Sequence, residues 1–338
     1  MQHRHALVTS LGLALVLCAV GSGAAQPPST TVAPTTIRIA TLAPRGSAPY
    51  RVLTAWGNSL REQTGGQLLL HVESGSDESA FVTRLQHREI EAAGVTSVGL
   101  STLCRPVLVL QAPGVVEDAT QMDRARAALD ATLRAELSTS GYTLLGWGEA
   151  GRGRIFSTHP VVTPADVAAG HPWQLAADPI FGEFLTQIHA HAVPLPLAGV
   201  LPALTGGSVD VVLGSATIIN ALQWHTRLTH VIAGSRSVLM GATVMHRSAY
   251  EALPAAQRTV LDATSAQAHA RLLRDMRTSD DRAYATLVSH GLIETDASAA
   301  TTAWTQAARD TRNALVGRLY TQALLNQAWT AAGHTGSP

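Results

Sequence analysis

Apolar and polar positions along the chain change period repeatedly, and each change marks an element. Residues 37–42 (Ile-Arg-Ile-Ala-Thr-Leu) alternate as a half-buried strand does, and the pattern stops at Ala43-Pro44-Arg45-Gly46-Ser47. Over residues 48–64 the spacing becomes helical, with Val52, Leu53, Trp56 and Leu60 on one face and Gly65-Gly66 as a stop. Residues 68–72 read as a second strand. Strand, loop, helix and strand in this order predict a parallel pair with a crossover helix, the unit of α/β architecture.

The alternation continues. A helix over residues 79–87 precedes a strand-like stretch at 92–100, a polar helix covers 119–140, and a strand follows at 143–147. A second α/β block then opens, with strands at 154–157, 172–175 and 209–213 and helical segments at 164–167 and 181–189. Residues 237–245 are a strand by apolar content, and both 254–289 and 298–332 place apolar groups at three-to-four spacing. No internal repeat of fixed period occurs. Two α/β blocks followed by long helices imply two lobes with a cleft between them, at the carboxyl ends of strands, where such folds take small ligands. The expected division is lobe 1 over 37–148 with parts of 238–290, lobe 2 over 149–237, and helices over 255–332 that brace both.

Composition adds a compartment. Hydrophobic residues make up 46% of the 338 and charged residues 14%, which suits a globular protein with a large core. The formal charge is zero, so bulk electrostatics recruits neither nucleic acid nor an anionic membrane. His3-Arg4-His5, the apolar run 6–20 and the small residues 21–25 form an export signal over 1–25, cleaved near Ala25. Residues 26–36 are Pro/Thr/Ser-rich and read as a linker, so the mature chain is expected to be soluble and periplasmic. Cys18 is the weaker lipid-anchor alternative, because Leu17 stands where a lipobox takes a small residue. Cleavage leaves Cys104 alone, so no internal disulfide is available.

The chain lacks a phosphate-cradling Gly loop, a G-x-S-x-G elbow, H-E-x-x-H and C-x-x-C, so an enzyme is not expected and no cofactor is implied. His189-Ala190-His191 has no carboxylate or cysteine at a ligand-like interval, and Cys104 before Arg105-Pro106 reads as a semi-buried thiol. Trp56 and Trp304 lie on helical apolar faces and are expected in cores. Trp147, Trp173 and Trp224 lie at strand ends or loops facing the expected cleft, where an indole can enclose an apolar ligand.

Four stretches in register resemble one family, the DctP-type solute-binding proteins of tripartite ATP-independent periplasmic (TRAP) transporters. They are Ile37-Arg38-Ile39-Ala40-Thr41-Leu42-Ala43-Pro44-Arg45-Gly46-Ser47, Gly141-Tyr142-Thr143-Leu144-Leu145-Gly146-Trp147, Pro160-Val161-Val162-Thr163-Pro164-Ala165-Asp166-Val167 and Gly206-Gly207-Ser208-Val209-Asp210-Val211-Val212. Together they extend the resemblance over roughly residues 37–295. It implies a two-lobed periplasmic-binding-protein fold with a central cleft, crossing strands and a long C-terminal helix. The partners it implies are TRAP membrane subunits. The segment Asn220-Ala221-Leu222-Gln223-Trp224-His225-Thr226-Arg227 resembles a branch with a tetratricopeptide-repeat partner lipoprotein and apolar ligands.

One departure from the family pattern shapes the expected chemistry. Acid-binding members carry an arginine on the strand after the Pro-x-Asp helix, and here Gln174, or Trp173 in the neighbouring register, stands there. Glutamine cannot make a bidentate, charge-assisted pair with a carboxylate. Gly214 replaces an asparagine often found after the Val-Asp strand. The sequence therefore predicts a small apolar or weakly polar ligand, with an organic acid held through Arg154 or Arg45, or a ligand-sensing partner of a signalling protein, as alternatives. The expected contacts are Arg45, Gly46, Ser47, Tyr50, Trp147, Glu149, Arg154, Trp173, Gln174, Leu213, Gly214, Ser215 and Trp224. On this reading Trp173→Ala and Gln174→Arg both weaken apolar ligands.

Overall fold

The computed structural model describes residues 33–338; the expected signal at 1–25 and most of the linker lie outside them. The first half opens as the periodicity predicts, with β1 (Thr35–Thr41), α1 (Ala48–Gln63), β2 (Leu68–Ser74), α2 (Glu78–Gln86) and β3 (Ala92–Thr96). Thr35 and Thr36, the end of the expected linker, already belong to β1. The strand expected to run to Leu100 instead ends at Thr96 and turns into α3 (Ser97–Leu103). Thr96 is the cause: its hydroxyl caps α3 by accepting from Val98 N at 3.1 Å, while the Glu78 carboxylate takes the Thr96 N–H. A short 3-10 segment, Arg105–Gln111, leads to α4 (Ala119–Thr139), capped by Asp118.

The strands expected at 143–147 and 154–157 form one element, β4 (Tyr142–Ser157). Gly151 makes the join possible. Its φ of +102° suits only glycine, and a Cβ there would stand 2.6 Å from Asp280 Oδ1. The pairing register shifts between Glu149 and Arg152, a bulge that re-aims the strand.

The second half comprises α5 (Pro164–Ala169), β5 (Trp173–Gln174), α6 (Pro179–Gln187), β6 (Val193–Pro194), α7 (Val200–Gly206), β7 (Val211–Gly214), α8 (Ala216–Ala221) and β8 (His230–Ile232). A capping box between Thr163 and Asp166 starts α5. The chain returns through β9 (Ser237–His246), α9 (Arg247–Glu251), the 35-residue α10 (Ala255–Ser289) and β10 (Ile293–Thr295). It ends in α11 (Thr301–Leu315) and α12 (Gln322–Ala332). The single helical run expected at 298–332 is broken because Val316 is extended and Gly317 takes φ +78°.

The main sheet has eight strands in the order β10-β8-β4-β9-β3-β1-β2, with β7 also on β4. β4 and β9 are the crossing strands. The start of β4 pairs with β9, and its end pairs with β7 and β8. Each half of the sheet is covered on both faces, the arrangement of a two-lobed α/β binding-protein fold. In the first half one core gathers Leu108, Leu133, Leu144 and Leu325, and the other Ile39, Trp56, Leu60 and Leu261. In the second half Phe156, Trp173, Val212 and Trp224 form one core, and Ile155, Phe181, Phe184 and Trp304 the other.

Candidate functional site

A cavity of about 380 Å³ opens where the two halves of the sheet face each other. The first half contributes Ser97, just past the carboxyl end of β3, together with Gln111, Pro113 and Glu117 from the loops before α4. The second half contributes Ile155 of β4, Leu213 of β7 and the first turns of α6. Helix α11 closes one side with Trp304 and Arg312, and Arg236, Ser237 and Leu239 enter from the start of β9. The position at strand carboxyl ends, between two halves of an α/β sheet, is where such folds bind small molecules.

Much of the wall is apolar. Phe184 stacks on Trp304 at 6.1 Å between ring centroids and on Phe181 at 5.8 Å, so three aromatic rings form one continuous surface. Trp304 Nε1 donates to Val162 O at 2.8 Å, which fixes the indole plane. α6 presents this surface because Asp178 caps it, accepting from Ile180 N at 2.9 Å and Phe181 N at 3.2 Å.

Charge enters at one end. The Arg236 guanidinium lies 4.9 Å over the Trp304 ring, and Arg312 lies 4.7 Å over Trp329. Arg312 Nη1 donates to Pro113 O at 2.6 Å and so ties α11 to the first half. Burial pulls both guanidinium pKa values below the usual arginine range, which leaves both charged at neutral pH. Burial also pushes the Glu117 and Asp178 carboxyls above the usual range, so the acids of the wall are weaker than ordinary ones.

Of the residues expected at the site, Leu213 alone lines this cavity. Trp173 and Trp224 pack edge-to-face at 5.4 Å within a lobe core, and Trp173 Nε1 donates to Leu195 O at 2.9 Å. They face inward because the surrounding apolar positions on α7, α8 and β7 bury them from that side. Trp147 is likewise a core residue, beneath Arg126. The Gln174 side chain lies against Gly182 of α6. Gly214 pairs with Arg154 across the sheet, and Ser215 is buried as the cap of α8, accepting from Ile218 N at 3.3 Å.

The loop residues have local partners. Arg45 and Gly46 are exposed, Gly46 O accepting from Arg51 Nη1 at 2.5 Å. Ser47 caps α1 by accepting from Tyr50 N at 3.4 Å. Tyr50 reaches toward Val72 O, 3.5 Å away.

Two of the three charged residues expected to meet ligand, Arg154 and Glu149, already have partners in the fold. Arg154 is 3% exposed, donates to Asp280 Oδ2 at 3.2 Å, and lies over the Tyr284 ring. Asp280 also accepts from Arg152 N and Thr217 N, so it joins α10 to the crossing strand and to α8. Glu149 accepts from Arg126 at 2.7 Å and from Arg277 at 2.7 and 2.8 Å. Arg154 and Glu149 are thus each engaged with α10 or α4 in this structure.

Arg236, Arg312 and the cavity role of Trp304 escaped the sequence reading. Trp304 does pack in a core, as its helical face predicts, but its other side faces the cavity. Arg236 stands directly before the apolar alternation of β9, and that adjacency is the one sequence signal that pointed to it.

The chain matches the family described as bacterial extracellular solute-binding protein, family 7 (DctP), over residues 39–318. Its fold is similar to that of a TRAP periplasmic solute-binding protein from Desulfovibrio desulfuricans with bound sn-glycerol-3-phosphate (17% identity, 90% of this chain and 99% of that one, TM-score 0.79). It is similar to one from Roseobacter denitrificans with bound β-D-glucuronate (16%, 87% and 99%, 0.78). A Bordetella pertussis extracytoplasmic solute receptor binding pyroglutamic acid is a third (15%, 88% and 99%, 0.76).

Proposed function

Because the chain belongs to bacterial extracellular solute-binding protein family 7, we propose that it is the extracytoplasmic receptor of a TRAP transporter, and that its solute occupies the cavity beside Leu213 and Trp304. The observation that carries the reading is a cavity walled by both halves of the sheet at once, so that one small molecule touches both. Binding across such a cleft favours the closed form by the contacts each half makes with the solute. The aromatic wall of Phe181, Phe184 and Trp304 suits a solute with a largely apolar body, each Å² of which contributes about 25 cal/mol when buried. No covalent step is required.

On this reading the solute passes to separate membrane subunits; among the described residues no helix is long and apolar enough to cross a membrane. The tetratricopeptide-repeat lipoprotein remains part of the proposal on the resemblance of residues 220–227. Trp224 of that segment is buried, so a partner would meet Asn220, Gln223, Thr226 and Arg227, which are exposed.

Native mass spectrometry after incubation with a cell extract tests the reading. One small molecule per chain is expected to be retained and to be lost in a Leu213→Asp variant. A solute retained equally by that variant, or none retained by the parent, would count against it.

A further inference from the structure

We propose that Glu183 of α6 and Arg318 of the turn after α11 form a latch that holds the two halves together over the cavity. This rests on the reading of the molecule as a receptor whose cleft opens and closes. The two side chains belong to different halves. Glu183 lies on α6 among Phe181, Phe184 and Leu185, which pack in a second-half core. Arg318 lies among Leu315, Leu319 and Tyr320, which pack in a first-half core with Leu108 and Leu133. Between them Arg318 Nη1 donates to Glu183 Oε2 at 2.5 Å.

Position singles this pair out. Among the described residues, every other ion pair stays within one half or involves β4 or α10, which run along both halves. Those pairs can persist while the cleft opens. The Glu183–Arg318 pair reaches from an element of one half to an element of the other, so it must break when the halves part. Ile180 reinforces it. Three residues before Glu183 and therefore on the same face of α6, it packs against the first-half core. Neither Glu183 nor Arg318 lines the cavity, so the pair acts on closure without touching the solute.

Both partners are set in place by their own half. Gly317 takes φ +78° and donates to Tyr320 O at 2.8 Å, and Arg318 N donates to Leu315 O at 3.1 Å, which closes the turn. Leu319 and Tyr320 are buried, so Arg318 is left projecting from it. On α6, Gln187 Nε2 donates to Glu183 Oε1 at 2.8 Å and leaves Oε2 for the guanidinium. The Glu183 side chain is only 10% exposed, so little rotamer freedom is lost when the pair forms. Helix α11 can accommodate the motion. Trp304 lies in the second-half core and Leu315 in the first, and between them the Thr311 hydroxyl donates back to Ala307 O at 2.7 Å, an arrangement that bends helices.

Pulsed electron–electron double resonance on the purified protein reads the distance between the halves. Spin labels go on Thr132→Cys of α4 and Thr205→Cys of α7, both exposed, while Cys104 is buried away from the label. The ratio of open to closed molecules is expected to rise about 3- to 10-fold in Glu183→Gln and in Arg318→Gln, between the effect of an exposed ion pair and that of a buried charged hydrogen bond. Exchanging the charges, Glu183→Arg with Arg318→Glu, should bring the ratio back to within about twofold of the parent, because the two sites act through each other. Thermal unfolding checks that each variant is folded; if one single variant is not, the other and the exchanged pair decide. Distances unmoved by the single variants, or moved and not restored by the exchange, would overturn the latch. Latch-dependent distances in a protein that retains no solute would overturn the receptor reading and leave the latch standing. A retained solute with unmoved distances would do the reverse.

Discussion

A large indole can bury its surface against a solute or against its own core, and its hydrogen-bond donor often reveals which. Trp173 donates to Leu195 O and meets Trp224 edge-on, so its ring is spent on the fold. Trp173→Ala is therefore expected to cost about 3–5 kcal/mol of stability, the usual range for emptying an aromatic site in a core. Urea unfolding measures this, and affinity for the retained solute should stay within about twofold of the parent. An intact midpoint with lost affinity would return Trp173 to the binding site. Residue identity alone did not distinguish these roles. Trp173 lies at a strand end and Trp304 on a helix, yet the helix residue faces the cavity. That no arginine stands at Trp173 or Gln174 was legible, because the Pro-x-Asp motif places the position to within one residue. The arginines at 236 and 312 were not, because the whole of the intervening chain, residues 237–311, must fold before they share a wall.

At the scale of elements, α10 does more than cover the sheet. Its His269 bridges to β9 with Nδ1 donating to Ser265 O at 2.8 Å and Nε2 accepting from the Thr243 hydroxyl at 2.8 Å. That places a neutral imidazole edge-on to Trp56 of α1. Burial holds its pKa below the ordinary value of 6.5. As pH falls through 6.5 the unfolded chain takes up a proton that the folded chain refuses, so stability drops by about 1.4 kcal/mol per pH unit until the lower folded value is reached. Urea unfolding at pH 7.5 and 5.5 should show the stability advantage of the parent over His269→Gln shrinking at the lower pH. A difference independent of pH would mean that this imidazole titrates alike in the folded and unfolded chains, and one that grows at the lower pH would mean that it is charged in the fold. Element types were largely legible, since the helical stripe of α1 and the alternation of β1 each serve one buried face. Continuity was less so. Gly151 resembles an ordinary loop glycine in sequence, and only the fit of β4 beside Asp280 shows that the strand passes through it.

For the whole molecule, the order of strands and helices carried the two-lobed architecture, because crossover handedness and short connections leave few alternatives. Where the cleft would be deepest was not readable. That depends on α11 crossing from Trp304 beside α6 to Arg312 beside Pro113, a tertiary placement with no local signature. The most direct test of the account is a crystal structure of the protein with the solute that it retains. The solute is expected between Leu213, Phe184 and Trp304. A solute bound at the Arg45–Tyr50 loop, with this cavity holding only water, would contradict the account.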